Sequence, residues 1–113
     1  MGAAEKLMSW QVVCNSTDLE EMIGARALLD GEQVAMFRVK GKLYAVSAID
    51  PFTKAAVLAR GIVGSLKDNI VVASPLLKQH FNLETGQCLE DESVQIKTYQ
   101  IRESDGKIEL ASN

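Results

Sequence analysis

The side chains that most often hold metals or act as nucleophiles are scarce in this sequence. It contains two cysteines, Cys14 and Cys88, and a single histidine, His80. The cysteines lie far apart and neither belongs to a C-x-x-C motif, whereas a structural zinc site or an all-cysteine cluster requires four ligands at close spacing. Three soft donors cannot supply four ligands. We therefore predict that this chain holds no metal by itself.

The same residues offer little for catalysis. The sequence does not position a serine, a cysteine or a carboxylate beside His80, so a solvated strand residue is favoured over a general base. We interpret Cys14 as a small buried apolar residue and both cysteines as free thiols, because reducing conditions oppose disulfides. No residue is assigned a catalytic role.

Composition predicts one globular domain without a nucleic-acid or membrane partner. The chain has 113 residues, 47% hydrophobic and 24% charged, with a net charge of -3. This charge provides no basic footprint for nucleic acid. There is no apolar run of membrane-spanning length and no secretion signal, so a cytoplasmic location is expected. We expect a disordered N-terminus at residues 1–8 and a single domain at residues 9–113.

The elements that must position the remaining candidate residues are strands. Two β-rich runs, 33–39 and 42–46, flank Lys40-Gly41 and predict a hairpin. Another hairpin is predicted around Glu84-Thr85-Gly86, with strands at 80–83 and 87–89, and a last one turns at Asp105-Gly106. Further strands are predicted at 10–13, 27–29 and 70–73. In the run 94–101 the apolar positions change face, which indicates a bulge near Lys97-Thr98.

Helical signals are few. Thr17 and Glu20 form a capping-box pattern that predicts a short helix ending near Ile23, before Gly24. Residues 54–60 could form a turn or two of helix or an irregular loop. The sum is an all-β sandwich or barrel of about nine or ten short strands with one short N-terminal helix.

Two loops of this fold resemble the cluster-binding loops of Rieske proteins. In that family a C-x-H pair and a C-x-x-H pair on facing loops hold a [2Fe-2S] cluster. Here Ile49-Asp50-Pro51-Phe52 follows one strand pair, and Ser74-Pro75-Leu76-Leu77 follows another strand. The run Phe81-Asn82-Leu83-Glu84-Thr85-Gly86 resembles the F-D-L-x-T-G tail of Rieske domains. The resemblance implies a Rieske-like fold in which Asp50, Phe52, Ser74 and Leu77 replace the four ligands.

A closer resemblance is to the small subunit of assimilatory NADH-dependent nitrite reductase, and it extends from about residue 10 to residue 110. It implies a cytoplasmic two-subunit enzyme that reduces nitrite to ammonium with electrons from NADH. The large subunit would carry FAD, a [4Fe-4S] cluster and siroheme, and this chain would carry no cofactor and support assembly or stability. The resemblance rests on five segments: Ile49-Asp50-Pro51-Phe52, Val57-Leu58-Ala59-Arg60-Gly61, Ala73-Ser74-Pro75-Leu76-Leu77-Lys78-Gln79, Phe81-x-Leu83-x-x-Gly86-x-Cys88 and Glu90-Asp91-Glu92.

Without iron, the two loops need another link. We hypothesise a hydrogen bond between Asp50 and Ser74, and packing of Phe52 against Leu77. A competing hypothesis leaves Phe52, Leu76 and Leu77 exposed as an anchor for the large subunit. A third treats them as ordinary packed loop residues. The candidate interface residues are Pro51, Phe52, Leu76, Leu77, Lys78 and Gln79.

Two other functions stay open at this point. A Rieske-type ferredoxin would carry electrons and would be coloured by its cluster. A freestanding small-molecule binding module would need a deep apolar pocket with converging polar groups. The chain has no Gly-rich phosphate loop and no cluster of titratable residues that would favour such a module.

Overall fold

The computed structural model describes residues 9–76 and 78–112. Within these ranges the chain forms nine strands and two short 3-10 helices, which confirms the all-β prediction. The residues predicted to be a disordered N-terminus lie outside the described ranges. The elements are β1 (Gln11–Asn15), η1 (Ser16–Asp18), β2 (Ala25–Leu29), β3 (Glu32–Val39), β4 (Lys42–Ser47), η2 (Leu58–Arg60), β5 (Ile62–Leu66), β6 (Asn69–Ala73), β7 (His80–Asn82), β8 (Tyr99–Ser104) and β9 (Lys107–Ser112).

The strands pair into three small antiparallel sheets, ordered β1-β9-β8, β2-β3-β4 and β5-β6-β7. The β2-β3-β4 sheet lies between the other two because β3 is apolar on both faces. Ala35 and Phe37 belong to the core shared with β5-β6-β7, and Val34 and Met36 belong to the core shared with β1-β9-β8. A continuous apolar run is what a strand buried on both sides requires.

Four hairpins turn through two residues that both have positive φ, as a type I′ turn demands. The turns at Lys40-Gly41 and Asp105-Gly106 confirm the predicted hairpins. The β5-β6 hairpin was not predicted as a strand pair, because its turn, Lys67-Asp68, contains no glycine to signal it. The φ values are 51° and 83° for Asp30-Gly31, 53° and 80° for Lys40-Gly41, 51° and 66° for Lys67-Asp68, and 53° and 74° for Asp105-Gly106.

The N-terminal helix predicted to end near Ile23 is present only as a short 3-10 helix. Residues 16–18 form a single 3-10 turn, and the backbone is already extended at Leu19, with φ -108° and ψ 94°. Arg38 explains the difference, since its guanidinium donates to the carbonyl oxygens of Ser16 and Leu19. A longer helix would use the Leu19 carbonyl as an acceptor, and the Leu19 side chain instead enters the core.

The apolar side chains change face near Lys97-Thr98 as predicted, but the predicted β-bulge is absent from this described segment. Ile96 belongs to the core next to β5-β6-β7, and Tyr99 belongs to the core next to β9. Regular pairing begins only at Tyr99, and residues 95 and 98 make isolated bridges instead of a bulged ladder. The predicted 87–89 strand is likewise reduced to bridges. Among the described residues there is no helix of a length and hydrophobicity suited to crossing a membrane.

Candidate functional site

The two loops suggested by the sequence face each other beside the β5-β6-β7 sheet. We call residues 50–55 the first loop and residues 74–79 the second loop; Leu77 lies outside the described residues. The first loop follows β4 through the buried Ala48, whose N–H donates to the Gln33 carbonyl at 2.9 Å. The second loop connects β6 to β7. Both loops therefore begin at ordered strands.

A buried hydrogen bond joins the loops. Ser74 Oγ donates to Asp50 Oδ2 at 2.5 Å, and the two residues are 1% and 0% exposed. This confirms the hydrogen bond predicted between Asp50 and Ser74. A hydrogen bond to a carboxylate is short and strong when both groups are shielded from water.

The remaining capacity of both side chains is used within the loops. Asp50 Oδ1 accepts from the Phe52 N–H at 2.8 Å and from the Thr53 N–H at 3.4 Å. Ser74 Oγ accepts from the Leu76 N–H at 3.4 Å. These are turns in which a side chain takes the place of a backbone acceptor. The buried pair therefore holds the backbone of Phe52 and of Leu76.

The candidate interface residues differ in exposure. Phe52 is 37% exposed and its ring also contacts Phe81, with centroids 6.4 Å apart, whereas Leu76 is 51% exposed. Lys78 is exposed, and Pro51 and Gln79 are half-buried. The Gln79 Oε1 atom is buried and has no hydrogen-bond partner among the described residues. The predicted contact between Phe52 and Leu77 stays a prediction. The buried hydrogen bond between Asp50 and Ser74 is thus compatible with an exposed apolar surface formed by Phe52 and Leu76.

These side chains do not fit a Rieske cluster. Such a cluster requires two thiolates and two imidazoles, and Asp50 and Ser74 present oxygens that are bonded to each other. Cys14 packs beside the core next to β9, whereas Cys88 belongs to the core next to β5-β6-β7. Both cysteines are free thiols, as predicted, and burial raises the pKa of each. Within residues 9–76 and 78–112, no group of three or more potential ligands could hold a metal ion.

The groove beside the first loop does not resemble a small-molecule site. It is open and has a volume of about 500 Å³. Three of its polar side chains bond to one another, because Glu32 Oε1 accepts from Tyr99 Oη at 2.7 Å and from Lys97 Nζ at 2.9 Å. The hydrogen bonds from Lys97 and Tyr99 lower the pKa of Glu32, and burial raises the pKa of Tyr99. Polar groups that converge on an absent ligand are not found in this arrangement.

His80 is not a simple solvated strand residue. Its ring Nδ1 lies 2.6 Å from Glu90 Oε2, and its backbone N–H donates to Glu90 Oε1 at 2.8 Å. Cys88 Sγ lies 3.8 Å from the same Oε1 atom. Sequence reasoning missed this cluster, because it placed neither a cysteine nor a carboxylate beside His80. The signal was the predicted 80–89 hairpin, whose register carries Glu90 back beside His80.

Replacing Glu90 by glutamine should lower the free energy of unfolding by about 0.5–1 kcal/mol at pH 6, because the pair is partly exposed. Burial raises the pKa of Glu90, but the hydrogen bonds from His80 outweigh it and hold the pKa below its usual 4.5. The unfolded chain therefore takes up a proton first as the pH falls, and the contribution of Glu90 disappears below its folded-state pKa.

Urea unfolding at pH 6 and at pH 3 checks this. The difference between wild type and Glu90→Gln should be larger at pH 6 than at pH 3. Glu92→Gln, an exposed change in the same turn, is the control and should have no effect at either pH. An equal loss at both pH values would contradict the assigned role of the carboxylate.

Comparison with known proteins supports the Rieske-like fold. The family model of the Rieske-like [2Fe-2S] domain matches residues 9–111. The chain is 42% identical over 106 residues to the nitrite reductase (NADH) small subunit of Salmonella typhimurium, covering 92% of this chain and 98% of that protein. The NMR structure of the protein NirD from Escherichia coli matches with a TM-score of 0.87 at 39% identity, covering 95% of this chain and 99% of that one.

A similar segment also occurs inside a longer polypeptide. The nitrite reductase [NAD(P)H] large subunit of Klebsiella oxytoca is 29% identical to this chain over 99 residues. The match covers 88% of this chain and 10% of that protein. The similar segment is thus a small part of a polypeptide named as a large subunit.

Proposed function

The chain belongs to the small subunits of NADH-dependent nitrite reductase, within the Rieske-like [2Fe-2S] domain family, and from this membership we propose that it is a non-catalytic subunit. Its role is to support the assembly or stability of the large subunit in the cytoplasm. The large subunit carries the FAD, the [4Fe-4S] cluster and the siroheme that reduce nitrite to ammonium. This chain carries no cofactor and contributes no catalytic residue.

One observation carries this proposal. In the two loops that resemble the cluster-binding loops of Rieske domains, Asp50 and Ser74 form a buried hydrogen bond, and their oxygens are poor ligands for an iron–sulfur cluster. Without a cluster the chain has no group that could accept or deliver an electron at this site. A subunit of the enzyme that cannot transfer electrons then has a structural role.

The partner is the large subunit of nitrite reductase. The Klebsiella oxytoca protein supports this pairing, because a segment similar to this chain is joined to a large subunit there. Two domains in one polypeptide meet at a high effective concentration, which favours a contact between them. The candidate interface is the tip of the two loops, formed by Pro51, Phe52, Leu76, Leu77, Lys78 and Gln79.

Co-expression of the two subunits tests the proposal. We expect the untagged chain to copurify with a tagged large subunit in stoichiometric amount, and nitrite reduction to fall when this chain is omitted. The isolated chain should contain less than about 0.1 iron per chain, whereas a bound cluster would supply two. The matched control is the large subunit purified alone, whose iron and siroheme report its own loading.

A Rieske-type electron carrier is the second candidate, because the matching family model describes [2Fe-2S] domains. It predicts a coloured isolated chain with visible absorption bands and acid-labile sulfide. Stoichiometric iron and sulfide in freshly isolated, untagged chain would establish that candidate and exclude the cofactor-free one.

A further inference from the structure

The two loops repeat one five-residue pattern. The first reads Asp50-Pro51-Phe52-Thr53-Lys54 and the second reads Ser74-Pro75-Leu76-Leu77-Lys78. Each begins with the polar residue of the buried pair, continues with proline and an exposed apolar residue, and ends with lysine. Sequence reasoning considered the two loops as lost ligand sets and as a candidate interface, but it did not recognise that they match.

The backbone of the two loops closes in the same way. In the first loop the Lys54 N–H donates to the Asp50 carbonyl at 2.7 Å, and the Asp50 N–H donates to the Ala55 carbonyl at 2.8 Å. In the second loop the Lys78 N–H donates to the Ser74 carbonyl at 3.0 Å, and the Ser74 N–H donates to the Gln79 carbonyl at 2.8 Å. Matching sequence patterns thus produce matching turns.

Both lysines adopt a conformation that glycine would adopt without strain. The φ angles are 66° at Lys54 and 67° at Lys78, in the left-handed region that a side chain disfavours. Both side chains are exposed, so they contribute to the surface beside the two loops and not to the core.

The tip of the two loops combines exposed apolar side chains with positive charge. Phe52 and Leu76 are exposed apolar residues whose backbone amides are both held by the buried pair. The only acidic residue of the two loops, Asp50, is buried, so the exposed charges there are the two lysines. A chain with a net charge of -3 therefore presents a positive, apolar tip.

We propose that the two loops form a single docking face with two equivalent halves. Phe52 and Leu76 enter an apolar depression on the large subunit, and Lys54 and Lys78 pair with carboxylates on its rim. Because the exposed charges of the two loops are both positive, a surface with an acidic rim is complementary to them. An apolar centre with a charged rim is also the usual anatomy of a specific interface. The inference rests on the proposed function, because the occupant is the large subunit.

The test measures the affinity of this chain for the purified, cofactor-loaded large subunit at 50 mM and 500 mM salt. Phe52→Ser with Leu76→Ser should weaken binding at least about 30-fold at both salt concentrations, as expected for central apolar anchors. Lys54→Gly with Lys78→Gly should weaken it about 10-fold at low salt and about 2-fold at high salt, since salt screens charge pairs. The glycine pair should melt no lower than wild type, because glycine relieves the left-handed strain.

Matched controls lie elsewhere in the chain. Lys40→Gly with Lys67→Gly removes the same charge from two other left-handed lysines, with φ 53° and 51°. Val12→Ser with Leu28→Ser removes two apolar side chains that are 58% and 65% exposed. Both control variants should bind within about 2-fold of wild type, well below the loss from a buried anchor.

The outcomes separate this inference from the proposed function. If the wild type binds the large subunit and the loop variants bind it as tightly as the control variants do, the docking face is overturned and the subunit assignment stays intact. A second outcome is that the Phe52→Ser, Leu76→Ser variant loses self-association but keeps its affinity for the large subunit. That outcome would assign the face to a second copy of this chain and would also overturn the proposal. Failure of wild type to bind the large subunit would overturn both proposals.

Discussion

Replacing Asp50 by alanine is expected to lower the free energy of unfolding by about 3–5 kcal/mol. The change leaves the Ser74 hydroxyl and the Phe52 N–H without their acceptor in a site where Asp50 is 0% exposed. Each buried donor without a partner costs about 1–3 kcal/mol, and the lost side chain adds a cavity. A small domain is stable by only about 5–15 kcal/mol, so much of the stability would be removed.

Urea unfolding of wild type and three variants checks this expectation. Asp50→Asn keeps one acceptor oxygen and should cost about 1–2 kcal/mol, while Ser74→Ala should cost about 1–3 kcal/mol. The double variant should lose less than the sum of the single losses by about 1 kcal/mol or more, which measures the coupling across the two loops. Additive losses, or a cost below about 1 kcal/mol for Asp50→Ala, would show that the hydrogen bond contributes little.

Replacing Gly86 by alanine should be comparably damaging, at about 3 kcal/mol or more. Gly86 has a φ of 82°, and an added Cβ would lie 2.1 Å from the Ile96 carbonyl oxygen. The backbone cannot retreat easily, because the Gly86 N–H donates to the Asn82 carbonyl and the Gly86 carbonyl accepts from the Ile96 N–H at 2.7 and 2.9 Å. Left-handed strain and a backbone clash therefore act together.

Gly106→Ala separates the two effects. Gly106 has a φ of 74°, but nothing lies within 4 Å of the added Cβ, so only the conformational cost of about 1 kcal/mol remains. Thermal unfolding of both variants under identical conditions should show a much larger loss for Gly86→Ala. Equal losses would mean that residues 86 and 96 move apart at little cost, and the account of this turn would be wrong.

The strand pattern and the chemistry at the loops were largely readable from residue types. The hairpin turns at Lys40-Gly41 and Asp105-Gly106 are local signals, because positive φ selects glycine within a two-residue turn. The pairing of Asp50 with Ser74 was predicted from the resemblance to a known pair of facing loops. The sequence spacing alone does not indicate that these two residues lie close together. The exposed fractions of Phe52 and Leu76 could not be read in this way, since burial depends on what packs against a loop.

The errors share a physical cause in contacts between distant parts of the chain. The capping pattern at Thr17 and Glu20 describes a helix that would form locally, but Arg38 on β3 takes the carbonyls of Ser16 and Leu19. The role of His80 depended on Glu90, which reaches it only through the register of a hairpin. Local propensity is worth tenths of a kcal/mol per residue, so such tertiary contacts override it.

The sequence by itself determined that this is a strand-rich domain and that it has too few cysteines and histidines to supply the four ligands of a Rieske cluster. These conclusions depend on residue identity and short-range geometry. Only the tertiary structure decided that Asp50 and Ser74 are buried and bonded, that Phe52 and Leu76 stay exposed, and that two lysines occupy equivalent strained positions. Those features arise from packing three sheets together, and packing is a property of the whole chain rather than of any segment.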